Sequence, residues 1–274
     1  MKMFLKEKIK RLISCLSKLN SLAIAFSGGV DSSLLLLFAK DAIKGPVIAV
    51  TSISFVHKKR DINDAKTLAK NIGVKHVLID TKELSMPKFI MNTKERCYLC
   101  KKNLFKKIRL VSKKFNISNI AHGANIDDIR DYRPGQKAAK EDHIISPFIE
   151  AGFTKQDIRN IAREKGLYVW NKPSSPCLAT RIPYGDIINR KKLNMVEQAE
   201  NFLWNIGCKE VRVRYFKDTA KIEVPVYQIK DIINAREKIL RKFKDIGFKY
   251  VTLDIEGLIS GKMNRTINKG DYNE

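Results

Sequence analysis

The 274-residue sequence predicts an α/β protein: a doubly wound parallel sheet over residues 1–184, joined to a small α+β domain over residues 185–274. Three observations carry that expectation. Short apolar runs alternate with segments of helical periodicity from residue 21 to residue 165. A glycine turn, SGGVDS (27–32), lies between the first such run and the helix after it. Beyond Tyr184 the pattern changes to two alternating strands set between longer helices.

The first twenty residues place Phe4, Leu5, Ile9, Leu12, Ile13, Leu16 and Leu19 at helical spacing, so an amphipathic helix opens the chain. Leu22–Phe26 reads as a buried strand and Asp31–Ile43 as a helix. PVIAVTSISF (46–55) is a second strand, and residues 60–72 are a helix ending before Gly73. HVLID (76–80) is a third strand, followed by a basic helix over 102–115. NIAHGAN (119–125) supplies a fourth strand with its turn, and 155–165 a further helix. In the second part, 188–206 and 228–246 read as helices. VRVRYF (211–216) and AKIEVP (220–225) form a hairpin around Asp218, and YVTLDIEG (250–257) is a last strand. An antiparallel sheet is expected there, and the final stretch from Gly261 is expected to fray.

Net charge is +24, from 53 basic and 29 acidic residues. That excess favours anionic partners, a nucleotide or a nucleic acid, although lysines scattered over a solvated surface would give the same balance. No run of eighteen apolar residues occurs, so no membrane span is expected. Charge interrupts the N-terminal helix, which excludes the apolar core of a secretion signal and leads to a cytoplasmic expectation. Five cysteines (Cys15, Cys97, Cys100, Cys177, Cys208) are an odd number, better suited to thiols, metal ligands or catalysts than to disulfides.

SGGVDS follows a strand and opens a helix, where uncapped N–H groups and the positive end of the helix dipole favour an anion. Gly28 and Gly29 let the backbone turn and approach a ligand closely, and Ser27 and Ser32 add hydroxyls. No lysine follows the second glycine, so this is not the phosphate loop that ends in Gly-Lys. Asp31 would repel phosphate unless it holds Mg²⁺ against it. The plainer alternative is a helix cap made by Asp31 and Ser32. The hexapeptide resembles the PP-loop of the ATP pyrophosphatases, which include GMP synthetase, asparagine synthetase and tRNA thiolation enzymes. That resemblance implies ATP split between its α- and β-phosphates, with an oxygen of the substrate adenylated.

Cys97 and Cys100 stand as CxxC just ahead of the basic helix. They could be redox-active, half of a zinc site, inert, or two of three ligands of an iron–sulfur cluster completed by Cys177. Cys177 lies in KPSSPCLATRIPYG (172–185), where Pro173 and Pro176 stiffen the loop and Arg181 is placed to favour the thiolate. A thiolate beside an acyl-adenylate is a nucleophile facing a good leaving group, which means sulfur transfer. Cys15 and Cys208 read as packing residues.

Taken in order and spacing, SGGVDS, ERCYLCK, HGANIDDIRDYRPG and KPSSPCLATRIPYG resemble the LarE family of ATP-dependent sulfur transferases, which build the nickel-pincer nucleotide. The resemblance implies that ATP adenylates a carboxylate of a pyridinium dicarboxylate mononucleotide and that sulfur then gives a thiocarboxylate. Some members sacrifice one cysteine; others hold a [4Fe-4S] cluster on three, and Cys97, Cys100 and Cys177 match the second kind. It further implies that Ser27, Gly28, Gly29, Asp31 and Ser32 hold ATP phosphates and Mg²⁺, with Gly123 and Ala124 close to the adenosine. Asp127, Asp128, Asp131 and Arg133 would form a polar loop facing that site, or merely a capped, solvated one. Arg181 would bind a substrate phosphate, and Arg212 and Arg214 on one strand face would grip an anion. Glu200, Glu223 and Asp231 would form an acidic set able to hold a metal. The implied partner is a small nucleotide substrate, with tRNA as the alternative, and the implied assembly is a homo-oligomer.

Overall fold

The structure is a computed structural model that describes residues 2–129 and 134–266. The chain forms two compact units. One comprises residues up to Lys82 together with Glu95–Ser175; the other comprises Glu83–Lys94 and the chain from Pro176 onward. The chain therefore leaves the first unit at Ser175, ahead of the 184/185 position where the composition changes.

In the first unit, α1 (Lys2–Ser17) leads into β1 (Leu22–Ala25), α2 (Val30–Ala42), β2 (Val47–Ile53), α3 (Lys59–Ile72) and β3 (Lys75–Asp80). A short helix, α4 (Pro87–Ile90), belongs to the second unit. The first then resumes with α5 (Arg96–Lys114), β4 (Asn119–His122) and the helices α6 (Ile126–Ile129), α7 (Pro134–Glu141), α8 (Pro147–Glu150) and α9 (Lys155–Glu164). The four strands are parallel in the order β3-β2-β1-β4. Both faces are covered, as the unbroken apolar strands require. Leu22 and Ile24 pack with residues of α1, α2 and α9, whereas Ala23, Ile48 and Val50 pack with Phe105 and Ile108 of α5. Strand order reverses at β1, between β2 and β4, so the carboxyl ends of β1 and β4 border the switch point where such sheets bind ligands.

In the second unit, α10 (Arg190–Asn205) precedes β5 (Arg212–Phe216) and β6 (Thr219–Glu223). These pair antiparallel around a turn at Lys217, whose φ is 54°. The single helix expected over 228–246 is two, α11 (Ile229–Asn234) and α12 (Arg236–Ile246), with Ala235 between them. Both helices lie between β6 and β7 (Tyr250–Leu253), so β7 returns by a crossover and pairs parallel with β6. The sheet is thus mixed, not wholly antiparallel. Leu203, Val213, Ile222 and Phe243 form its core. The expected fraying does not begin at Gly261. Lys262 bonds Asp254 at 2.6 Å, and Arg265 holds both oxygens of Glu256 at 2.6 and 2.7 Å. Among the described residues no helix is long and apolar enough to cross a membrane.

Candidate active site

The Ser27–Ser32 turn occupies the switch-point end of β1. Gly28 has φ 69°, and a Cβ there would lie 2.9 Å from Cα of Ala65 in α3. Only glycine meets both demands. Gly29 is the residue that caps α2; it offers no side-chain cap, and its own N–H donates to the Ser27 hydroxyl at 3.3 Å. A helix cap by Asp31 and Ser32 is therefore not what is built here. The Ser32 hydroxyl donates to the Gly29 carbonyl at 3.2 Å and lies 3.1 Å from the Ser27 hydroxyl, so the two serines brace the turn. The result is an uncapped helix N-terminus behind a turn with no side chain in front, which suits a polyphosphate.

The end of β4 closes against this turn. A Cβ on Gly123 would sit 2.9 Å from the Ser32 nitrogen and 3.2 Å from Asp31 Cβ. Next to it, Ala124 is buried, and the Asn125 amide donates to Asp31 Oδ1 at 3.3 Å. The other Asp31 oxygen accepts from Lys155 Nζ. Asn125 and Lys155 were not among the residues singled out by sequence. The signal available for Lys155 was its place after Thr154, whose side chain and Asp157 form a reciprocal capping box at the start of α9. That box aims the first residue of α9 at the glycine turn. Asp127 accepts the Lys155 backbone N–H at 2.7 Å, and Asp128 accepts that of Asn125 at 3.0 Å. These bonds shape the loop, the duty the plainer reading gave them. Asp131 and Arg133 lie outside the described residues.

His122, the last residue of β4, lies 2.8 Å from the Ser146 hydroxyl. Burial, and then the charge of Lys101, push its pKa down to about 3, so it stays neutral at physiological pH.

Cys97 and Cys100 lie within the first turn of α5 and not ahead of it. The helix begins earlier than the lysine pattern suggests, and the i, i+3 spacing brings both half-buried thiols to one face. α7 packs on this helix through Tyr98 to Glu141 at 2.6 Å and Lys102 to Asp142 at 2.6 Å.

The KPSSP segment is anchored to α3. Lys172 Nζ lies 3.1 Å from Asp61 and 2.7 Å from Asp64, and Ser175 donates to Asp61 at 2.6 Å. Burial opposes ionisation of Asp61, but the Ser175 hydrogen bond and the Lys172 charge outweigh it and hold its pKa below 3.8.

Cys177 opens the next segment, in the second unit, just before a single 3₁₀ turn over Leu178–Arg181. Arg181 is 1% exposed. Its Nε and Nη2 form a two-pronged pair with Glu200 at 2.7 and 3.1 Å, and Nη1 donates to the carbonyls of Pro176 and Cys177 at 2.9 and 3.3 Å. Arg214 pairs with Glu223 at 2.8 Å and donates to the Thr180 carbonyl at 2.7 Å. An anion approaching Arg181 or Arg214 would have to displace a carboxylate. Arg212 differs: among the described residues it pairs with no carboxylate, and it donates to the Ile259 carbonyl at 3.3 Å. Burial, then Arg181 and Arg214, push its pKa down to about 10, which leaves it charged at neutral pH. Three guanidiniums against Glu200 and Glu223 leave one positive charge over, and Arg212 carries it. Glu200 and Glu223 are therefore counter-charges for arginine, not members of a metal site; Asp231 is exposed on α11. Among the described residues no group of three or more His, Cys, Asp or Glu stands together to hold a metal ion.

Residues 1–123 match the family model described as NAD synthase. An uncharacterized protein of Synechocystis sp. is 38% identical over 97% of this chain and 100% of its own length. The pyridinium-3,5-bisthiocarboxylic acid mononucleotide synthase of Lactiplantibacillus plantarum is 34% identical over 97% of this chain and 96% of its own. The tRNA-specific 2-thiouridylase of Aquifex aeolicus is 24% identical over 56% of this chain and 54% of its own.

Gly123→Ala is expected to push the glycine turn off its position and weaken ATP binding at least ~10-fold, about 1.4 kcal/mol, as read by calorimetry. Asp61→Asn tests the anchor. A carboxyl held below its ordinary pKa adds stability at neutral pH, and that stability is lost as the pH falls through the folded value. The variant should melt about 1 kcal/mol below the parent at pH 7, with the gap closing under acid, below pH 3.8; a gap independent of pH refutes the ion pair.

Proposed function

The chain belongs to the LarE family of ATP-dependent sulfur transferases, and from that membership we propose that it acts on a pyridinium dicarboxylate mononucleotide. ATP bound at the glycine turn activates a substrate carboxylate as the acyl-adenylate with release of pyrophosphate, and sulfur replaces AMP to give a thiocarboxylate. The observation that carries this reading is the meeting of Asp31, Asn125 and Lys155 at the uncapped end of α2. Helix dipole and glycine turn bind phosphate, and the Asp31 carboxylate beside them suits a cation that phosphate would otherwise lack.

Mg²⁺ fits this donor set, because Asp31 already receives a cation, the Lys155 ammonium. Asp31 would hold the metal with the Ser27 and Ser32 hydroxyls nearby, and the ion would draw charge from the phosphates as pyrophosphate leaves. Lys155 would then turn from the carboxylate to the phosphate oxygens. The surplus charge on Arg212 is suited to the substrate's own phosphate.

For the sulfur source, we propose an iron–sulfur cluster on Cys97, Cys100 and Cys177. The one-turn spacing of the first two thiols supports it, and Cys177 would be the third ligand. When bound, a cluster with one open iron would supply a place for an extra sulfide. A second reading needs Cys177 alone. The Cys177 thiolate attacks the activated carbonyl, AMP leaves, and a thioester forms. Loss of the Cys177 α-proton then expels the thiocarboxylate and leaves dehydroalanine, with no oxidant required. We further propose that the active assembly is a homo-oligomer and that its substrate is a small nucleotide, not tRNA.

Asp31→Ala is expected to lower pyrophosphate release at least ~100-fold with an unchanged melting midpoint; unchanged turnover removes Asp31 from the metal role. Protein purified without air should contain iron and inorganic sulfide, lost in Cys97→Ala, Cys100→Ala and Cys177→Ala. An iron-free, active protein that loses about 34 Da at Cys177 in turnover, the mass of H₂S, assigns the sulfur to Cys177 itself. Salt-dependent retention of tRNA with thiolation of that tRNA would replace the mononucleotide reading.

A further inference from the structure

Segment Glu83–Lys94, which lies between β3 and α5 in sequence, is part of the second unit. Asn92 joins it to the chain after Cys177. Asn92 is fully buried and adopts φ 55°, a left-handed backbone that asparagine tolerates better than most residues. Its amide nitrogen reaches three carbonyls, those of Ile182 at 3.2 Å, Pro183 at 2.6 Å and Asp186 at 3.1 Å. Three converging acceptors require a nitrogen at that position, because an oxygen would face three oxygens. The backbone completes the clamp: Gly185 N–H donates to the Asn92 carbonyl at 3.1 Å, and Ile188 N–H to the Ile90 carbonyl at 2.9 Å.

The clamped residues continue directly from the turn that carries the sulfur. Ile182 N–H donates to the Ala179 carbonyl at 3.2 Å, and Thr180 N–H to the Cys177 carbonyl at 3.0 Å. Arg181 and Arg214 grip the turn from α10, β5 and β6. Without Asn92, the downstream end of the turn would lose three bonds, one buried and two partly so, and the carbonyls of residues 182, 183 and 186 would lose a buried donor.

We propose that Asn92 is a positioning residue for Cys177: its amide clamp on residues 182–186 holds the sulfur-bearing turn in place and governs sulfur transfer while leaving carboxylate activation alone. This rests on the sulfur-transfer reading above. The printed bonds of the Asn92 amide all go to the chain after Cys177, so the two half-reactions should respond differently.

Two variants test the clamp. Asn92→Gly keeps the left-handed backbone and removes the amide; Asn92→Asp keeps the shape and sets a carboxylate oxygen against three carbonyls. The readouts are the first-turnover burst of pyrophosphate, thiocarboxylate formed per pyrophosphate, melting midpoint, and the rate of Cys177 alkylation by iodoacetamide in iron-free protein, followed by peptide mass spectrometry. In both variants the burst should stay within about twofold of the parent, thiocarboxylate per pyrophosphate should fall at least ~10-fold, and Cys177 alkylation should change at least ~3-fold. Alkylation at the parental rate in folded variants overturns the proposal, as does thiocarboxylate falling only in step with pyrophosphate. Loss of both half-reactions with a collapsed melting curve assigns Asn92 to folding and also overturns it. A parent protein that makes no thiocarboxylate sinks the sulfur-transfer reading instead, and the alkylation rates, which need no substrate, still decide the clamp.

Discussion

Two buried arginine–glutamate pairs hold the second unit together around the turn after Cys177. Arg181 with Glu200 and Arg214 with Glu223 join α10, β5, β6 and the turn after Cys177, and all four side chains are almost wholly removed from solvent. Placing charges there is costly, and the arrangement persists because nearly every guanidinium donor meets an acceptor. Glu200 also accepts the Val213 N–H at 3.0 Å, so the pair is tied into the strand as well. Removing either partner would strand a buried charge at a cost of about 3–5 kcal/mol. A loop that reads as proline-rich and irregular is therefore held as firmly as a core element.

The first unit solves a different problem, the approach of backbone to a polyanion. Gly28 seats its turn on Ala65, and Gly123 seats the end of β4 on Ser32 and Asp31. These approaches, under 3 Å for an added Cβ, bring two loops to one point of the sheet, at the α2 N-terminus that has no side-chain cap. The +24 balance is spread over the whole chain, but at the turn itself the charges nearly cancel, because Lys155 answers Asp31.

The alternation of strands and helices and the glycine turn were legible in the sequence, because period and turn chemistry are local properties; the strand order β3-β2-β1-β4, with β4 beside β1, came only with the fold. Membership of the sulfur-transferase family was legible too, from four short motifs, and relatives matched over nearly the full chain agree with it. The C-terminal sheet was misread because hairpin spacing says nothing about how a later strand returns; two helices before β7 make it parallel. The CxxC pair was placed ahead of its helix because cysteine and tyrosine are weak helix signals, and tertiary packing on α7 carries the helix through them.

What the sequence determined by itself was the chemistry available: a phosphate turn, an acidic residue within it, and thiols in a stiffened loop. Which charges are satisfied, and by whom, was decided only in three dimensions. Arg181, Arg212 and Arg214 look equivalent as letters, yet two are neutralised by Glu200 and Glu223 and one is not. No motif announces Asn92, and the capping box that places Lys155 does not name its partner; the Asn92 amide and the Lys155 ammonium meet theirs ninety or more residues away. Pattern records the neighbours along a chain, whereas burial makes a charge or an amide depend on whichever distant group folding brings within three ångströms or so.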